Sequence, residues 1–317
     1  MSLLNKLNAD ADTSETSWSK TYTETKEVAF FVSNMDDRIT QDVRHFLQSY
    51  SGIPRHDIVE HVYRIREKAW AIRAYPCTGF ALFLQPMLPL NPAYPFILER
   101  VRNEGANFID VGCFVGQDLR RLVFDGCPPS SLFGCDIVNH WDVGFEFYRD
   151  KDRPFGKNVK YIEDDMLHPK TKNQSNEETL DGDVDMKLMD WKGQMDIINA
   201  ALVLHHWNWD DQVAVCKNLV RLSRGPESMI VGCQIGSTGK NVMEPHCEEN
   251  PYGTFQTYWH NPETWKSMWA VIAEETGTKW EAKAELKTFD QIGWRASDWW
   301  YIGACSRVLQ FVVKRLE

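Results

Sequence analysis

Asp110, Gly112 and Gly116 fall close together in the stretch FIDVGCFVGQDLRRL, residues 108–122, and their types suit a nucleoside that carries positive charge. Phe108, Ile109 and Val111 are the short apolar run expected of a parallel strand buried on both faces. The two glycines let a ligand approach the backbone closely, and Leu119, Leu122 and Val123 then recur at helical spacing. A strand, a turn and a helix start are predicted in that order, with a carboxylate at the strand's end. Such an acid repels a pyrophosphate and attracts a cation.

A dinucleotide fold would carry G-x-G-x-x-G here and lay a pyrophosphate on the helix N-terminus, whereas the spacing is Gly112-x-x-x-Gly116. S-adenosylmethionine has no phosphate and bears a sulfonium and an ammonium, so it is the expected cofactor. The sequel agrees. SLFGCDI (131–137) reads as a second strand ending in Asp136, which can accept from both ribose hydroxyls, and NVKYIEDDML (158–167) as a third strand followed by Asp164 and Asp165. Either of these last two can hold an adenine amino group or simply cap a helix. The expected cofactor contacts are Asp110, Gly112, Cys113, Gly116 and Gln117 from the loop, Asp136 and Ile137 after strand two, Asp164, Asp165 and Met166 after strand three, Ala201 after strand four, and Tyr75.

MDIINAALVLHHW (195–207) is a fourth strand that leads into His205, His206 and Trp207 at the carboxyl edge, where open α/β sheets bind ligands. Methyl transfer asks the protein to align nucleophile, carbon and sulfur and to keep water out. A carboxylate acceptor is already ionised and needs no base; a phenol or alcohol needs one, and His205, His246 and His260 are the candidate catalytic residues, with His206 beside them. His246 and His260 fall in an aromatic stretch, 240–262, expected to overhang the site and to orient a carboxylate by hydrogen bonding. Capping histidines in a surface loop are the plain alternative. Trp70, Phe80, Tyr252, Phe255 and Trp294 are the expected substrate contacts, and Trp299 and Trp300 suit either an apolar cleft or a dimer contact. No metal site is expected.

The elements that must position these groups follow from periodicity. Residues 1–25, rich in Ser, Thr and Asp, read as a mobile tail. Residues 26–104 read as a helical lid: Ile39, Val43, Phe46 and Leu47 share one helix face, Ile58, Val62, Ile65 and Trp70 another, with Asp57 as a candidate cap. Residues 105–317 form the cofactor-binding domain, interrupted by a polar, acidic and solvated insertion at 170–190. DDQVAVCKNLVRLSR supplies a helix, ESMIVGCQIG a fifth strand, and residues 261–277 a helix with Trp265, Met268, Trp269 and Ile272 on one face. KWEAKAELKTF and SRVLQFVVKRL alternate as a closing antiparallel hairpin. The expected fold is α/β, a Rossmann-like sheet of order 3-2-1-4-5-7-6 with strand seven antiparallel. That hairpin, the loop spacing and Asp110 together exclude a dehydrogenase.

On these motifs the chain resembles class I S-adenosylmethionine-dependent methyltransferases, and more narrowly the fungal methyltransferases of meroterpenoid and related secondary-metabolite pathways. The closer likeness lies in REKAWAIRAYPCTGFALFL (66–84), DVGCFVGQDLRRLVFDGCP (110–128), LHHWNWDDQ (204–212) and the segment from Trp259 to Leu286. The resemblance implies O-methylation, often of a carboxylate to give a methyl ester. The family commonly sets a phenylalanine before the strand-four histidine and an aliphatic residue after it; this chain has Leu204 and His206.

Composition bounds the rest. A chain of 317 residues, 43% hydrophobic, can bury a full core. A net charge of −10 disfavours nucleic acid and anionic membrane as partners. The sequence shows no signal peptide and no apolar run long enough to span a bilayer, and its eight cysteines are scattered without C-x-x-C pairs, so a reducing, cytoplasmic setting is expected. A small-molecule substrate and a homodimer are the expected partners. Besides the esterifying enzyme, a phenol, hydroxyl or carbon methyltransferase with a histidine base and a non-catalytic cofactor-binding protein stay open; the tandem Asn or Asp before Pro-Pro-aromatic of amino-group methyltransferases is absent.

Overall fold

The computed structural model describes residues 26–170, 186–239, 242–243 and 257–317. Every residue of β1 (Phe108–Val111), β2 (Leu132–Asp136), β4 (Ile197–Asn199) and β5 (Met229–Ser237) is buried, because helices cover the sheet on both faces. β1 runs parallel to β2, pairing Phe108 with Leu132, and parallel to β4, pairing Asp110 with Asn199. β3 (Lys160–Glu163) extends this parallel set beyond β2, and β5 extends it beyond β4.

The closing hairpin is β6 (Trp280–Lys287) and β7 (Ser306–Arg315), with β7 inserted antiparallel between β5 and β6. The sheet order is therefore β3-β2-β1-β4-β5-β7-β6, as the sequence predicts. β6 is an edge strand, and its outward Glu281, Lys283, Glu285 and Lys287 form ion pairs that oppose edge-to-edge association. Residues 242–243 and 257–258 make a separate small antiparallel ladder.

On one face, Val215 and Leu219 of α6 (Trp209–Leu222) and Trp265, Met268 and Ile272 of α7 (Pro262–Thr276) pack with Ile198, Ile230 and Phe311 of the sheet. α7 is held at its start by a capping box between Asn261 and Thr264 and ends at Gly277, φ +63°. On the other face, Ile97 and Val101 of α3 (Tyr94–Asn103) and Leu119 and Leu122 of α4 (Gln117–Phe124) pack with Phe108, Ile197 and Val231. The residues from 88 to 104 thus share the core of the sheet.

α1 (Gln41–Ser49) starts at Thr40, whose hydroxyl accepts from the Val43 N–H at 3.3 Å, and buries Phe46 and Leu47; Ile39 is buried just ahead of the helix. α2 (Ile58–Ile72) buries Ile58, Val62 and Ile65 as predicted, but Asp57 makes no cap bond and instead lies 3.2 Å from His56 at the surface. These side chains share a core with Phe114 and Val115 of the glycine loop and with Phe147 and Tyr148 of α5 (Trp141–Tyr148). The N-terminal helices are therefore packed directly onto the loop that follows β1.

The predicted tail at 1–25 lies outside the described residues, as does most of the predicted insertion at 170–190. The described end of that insertion carries Leu188 and Trp191 into the core. Among the described residues no helix is long and apolar enough to cross a membrane.

Candidate active site

The loop after β1 turns through three left-handed residues, Gly112 (φ +70°), Phe114 (φ +50°) and Gly116 (φ +68°). Gly112 suits this left-handed turn: a Cβ there would be strained by φ and would sit 3.2 Å from both Cβ and Cγ2 of Val203. Phe114 is a bulky residue in the same region, a conformation that costs on the order of 1–2 kcal/mol and needs an anchor. Asp136 at the end of β2 supplies one, its Oδ2 accepting from the Phe114 N–H at 2.8 Å while Oδ1 accepts from the Val138 N–H at 3.0 Å. Burial pushes the Asp136 carboxyl up to about 6 against the pull of these N–H donors.

Asp110 lies beneath the loop. Its Oδ1 accepts from Asn199 Nδ2 at 2.8 Å, and burial first, then the nearby Asp118, holds its pKa well above the ordinary carboxylate range. Asp118 is itself buried, pushed up to about 7 by desolvation, and accepts from the Leu88 N–H at 2.8 Å. The negative charge of each disfavours ionisation of the other, and a nearby cation would relieve this.

A cleft of about 720 Å³, counted out to its open mouth, lies at the carboxyl edge of β1 and β4. Its lining takes in Gly112, Phe114 and Gln117 with Tyr75 from the N-terminal segment, and Leu82, Met87, Ile235 and Trp299, which belong to a separate apolar cluster. Ala201, Leu202, His205 and His206 lie where β4 ends. Among the described residues no lysine or arginine lines it. The Oε1 of Gln117 and the Nδ1 of His205 are both buried there without a hydrogen-bond partner, so the cleft offers unused polar capacity to a ligand.

The histidine pair sits on a short turn, Leu204–His206, that follows the left-handed Leu202 (φ +58°), whose N–H bonds Cys233 O at 2.7 Å. The two rings are 4.2 Å apart. Burial, then the neighbouring His206, lowers His205 well below the usual imidazole value; burial, then Arg73, lowers His206 to about 4. Both are neutral at neutral pH, suited to hydrogen bonding and poorly suited to taking a proton.

Of the predicted site residues, the structure brings Tyr75, Gly112, Gln117, Ala201 and His205 to the cleft wall. Gly116, Cys113 and Asp110 shape the loop from behind. Ile137 is exposed beyond β2 and Met166 is in the core. Asp164 is taken up by backbone: Oδ1 accepts from Asp165 N and Lys170 N, and Oδ2 from Leu188 N, while Asp165 accepts from Leu167 N. Trp70, Phe80 and Trp294 are buried in an aromatic cluster behind the cleft and are not part of its lining. His260 is enclosed by Trp209, Tyr258 and Trp265, with Nδ1 3.1 Å from the Thr264 hydroxyl, and burial lowers it to about 3. His246, Tyr252 and Phe255 lie outside the described residues. Sequence reasoning did not find Phe83, Met87, Phe114, Leu202 or Ile235; Leu82 and Phe83 fall inside the FALFL run quoted above, which was the available signal.

Comparison with known proteins decides the family. A profile described as the meroterpenoid methyltransferase N-terminal domain matches residues 30–84. The O-methyltransferase phiE of Fungal sp. (strain ATCC 74256) is 32% identical over 258 residues, 81% of this chain and 79% of the relative. The chain belongs to this family of fungal methyltransferases. Another member, the asnovolin E/chermesin D methyltransferase nvfJ of Aspergillus novofumigatus, is 32% identical over 81% of this chain and 87% of its own length. Among solved structures, phospholethanolamine N-methyltransferase 2 of Haemonchus contortus is 14% identical with a TM-score of 0.48, covering 82% of this chain and 60% of that one. The family's profile falls on the N-terminal helices and the 75–84 segment, the part of this methyltransferase that packs on the glycine loop.

Proposed function

We propose that this methyltransferase uses S-adenosylmethionine to form a methyl ester on a carboxylate of a largely apolar secondary metabolite. The observation that carries the reading is the mixed lining of the cleft: a glycine loop near buried acids, a separate apolar cluster, and two neutral imidazoles where β4 ends. Two relatives support the oxygen and the acceptor class by their names, an O-methyltransferase and a methyltransferase of asnovolin E/chermesin D.

The residues fit the cofactor. Among the described residues no lysine or arginine lines the cleft, and the buried carboxyls of Asp110, Asp118 and Asp136 near the glycine loop favour a sulfonium and an ammonium over a phosphate. Gln117 Oε1 offers an acceptor to an ammonium, Gly112 and Phe114 border the place of the methionine portion, and Asp136 is the acid nearest the place of the ribose. When bound, the cofactor supplies an electrophilic methyl group.

The remaining work is positional. An acceptor carboxylate is ionised at neutral pH, so no residue has to remove a proton from it. His205, neutral, holds such a carboxylate by N–H donation at the end of β4, and Phe83, Met87 and Trp299 keep water from the reacting oxygen. The low basicity of both imidazoles weighs against a phenol acceptor, which would need proton removal.

The test is a calorimetric titration of the protein with S-adenosylmethionine and S-adenosylhomocysteine, followed by incubation with matched apolar carboxylic acids and phenols. Micromolar binding and turnover on acids alone is expected. Turnover on phenols alone would overturn the carboxylate reading, and absence of binding would overturn the cofactor assignment.

A further inference from the structure

The geometry points to Trp299 as the residue that selects the acceptor by its ring system, an assignment that rests on the proposed function and deepens it. Trp299 lies in the segment 288–305 between β6 and β7, and it is the member of a three-ring stack that reaches the cleft. Its ring is nearly parallel to Phe289 (centroids 5.1 Å apart, 8° between planes) and to Trp294 (4.9 Å, 16°). Phe80 abuts it at 5.1 Å and 47°.

Topology places this stack on the acceptor's side. The glycine loop and Asp136 fix the cofactor over β1 and β2, at one side of the sheet order. Ile235, which also lines the cleft, is on β5, two strands from β1 and so about 10 Å across. β7 neighbours β5, so a segment leading into β7 reaches over this far half. His205 and His206, at the end of β4, lie between the halves, where the methyl group must pass from donor to acceptor.

The stack is also clamped. Arg38 donates to Phe80 O at 2.7 Å and pairs with Asp298 at 2.7 Å, both side chains largely buried. Arg295 pairs with Asp37, and Gln85 Nε2 donates to Ile292 O at 3.1 Å. The N-terminal segment therefore holds the 288–305 segment at Ile292, Arg295 and Asp298, on the N-terminal side of Trp299, which is presented as a rigid plate rather than an adaptable chain. A rigid plate beside Leu82, Met87 and Ile235 rewards a flat, preformed apolar ring body and gives less to a flexible chain of equal hydrophobicity, which must lose conformational freedom on binding. The charges that clamp the stack are paired with one another, so the acceptor's body is uncharged and its carboxylate lies at the histidine end.

The experiment uses full-length enzyme with S-adenosylhomocysteine bound and measures calorimetric affinity for three probes: a tricyclic diterpenoid acid, its corresponding alcohol, and dodecanoic acid. Trp299→Phe keeps a ring and Trp299→Leu removes it; S-adenosylhomocysteine affinity and the melting temperature establish that each variant is folded. Trp299→Leu is expected to weaken the tricyclic acid by about tenfold and dodecanoic acid by less than about threefold, with Trp299→Phe close to wild type. Equal loss for ring and chain, or no loss for either, overturns the assignment. So does a wild-type enzyme that binds neither tricyclic probe. Binding of the alcohol without the acid sinks the carboxylate reading alone, since the Trp299 comparison is then made on the alcohol.

Discussion

Asp136 Oδ2 receives the Phe114 N–H at 2.8 Å, which ties the end of β2 to a left-handed residue in the loop after β1. A carboxylate that the sequence marks for ribose binding is therefore also the brace of the loop beside it. Its two roles are compatible, because each carboxylate oxygen has two acceptor sites and each is bonded to one backbone N–H. The brace and the proposed ribose contact would also be coupled, since a change at Asp136 would disturb both together.

Asp136→Ala is accordingly expected to weaken S-adenosylmethionine binding by at least tenfold and to speed amide exchange across residues 112–116. A charged hydrogen bond contributes about 1.5–3 kcal/mol. Asp136→Asn keeps an acceptor and should slow loop exchange relative to alanine while still weakening the sulfonium cofactor. Calorimetry and hydrogen exchange on the two variants check this; unchanged affinity in both would remove Asp136 from the site.

Gly112→Ala is expected to destabilise the protein by roughly 1–2 kcal/mol, because φ is +70° and the new methyl meets Val203. The double variant with Val203→Ala removes the Cγ contacts and keeps the one to Cβ. It should recover only part of the loss, so its melting temperature should fall between the single variant and wild type; full recovery would show that neither the backbone conformation nor the Cβ contact costs anything.

Asp118→Asn keeps the acceptor for the Leu88 N–H and removes the charge. Asp118 is raised from 3.8 to about 7 by burial, so the folded state binds more protons than the unfolded state between those values. The contribution of this group is therefore fully favourable below about pH 4 and is lost as pH rises to about 7, a change of at most about 4 kcal/mol. His206, lowered to about 4, acts in the opposite sense over about pH 4 to 6.5. The difference in stability between wild type and Asp118→Asn reports this carboxyl together with the response of Asp110, which its charge raises. It should favour the variant at pH 8 and shrink towards pH 4, and a difference independent of pH would rule out the buried charge.

The sheet was legible because β1, β2, β4 and β5 are buried on both faces and so read as continuous apolar runs, while β6 and β7 alternate as an edge hairpin must. The glycine loop was legible through Gly112 and Gly116. What stayed hidden was the direction of side chains that have two uses. Trp70 and Trp294 have the composition of a ligand pocket and the surroundings of a core. Ile235 and Met87 look like ordinary core residues and border the cleft, because the strand order sets β5 beside β4 and the 75–87 segment packs at the same edge of the sheet. Asp164, read from its place after β3, was equally suited to adenine or to a cap, and the local backbone takes both of its oxygens.

That use of Asp164 sets a stability prediction apart from the chemistry. Three N–H donors converge on one buried carboxylate, joining the end of β3 to Leu188 across the intervening segment. Asp164→Ala leaves the Leu188 N–H unpartnered in the core and should cost about 2–4 kcal/mol. Cofactor affinity measured well below the melting temperature should stay within about threefold of wild type; a large loss of affinity in a folded protein would return Asp164 to the adenine.

His205→Gln tests the chemistry itself. Neutral imidazoles that only position a carboxylate leave the rate independent of pH above about pH 6, since His206 titrates near 4 and His205 is also depressed. Glutamine retains an N–H donor on a side chain of similar reach. The variant should therefore lower kcat by less than about tenfold, with KM for the acceptor rising and the profile from pH 6 to 9 staying flat. A fall of several orders of magnitude, with a new dependence on hydroxide, would identify His205 as a base and the acceptor as a hydroxyl. The unpartnered Nδ1 in the cleft wall makes this the residue on which the two chemistries differ most sharply.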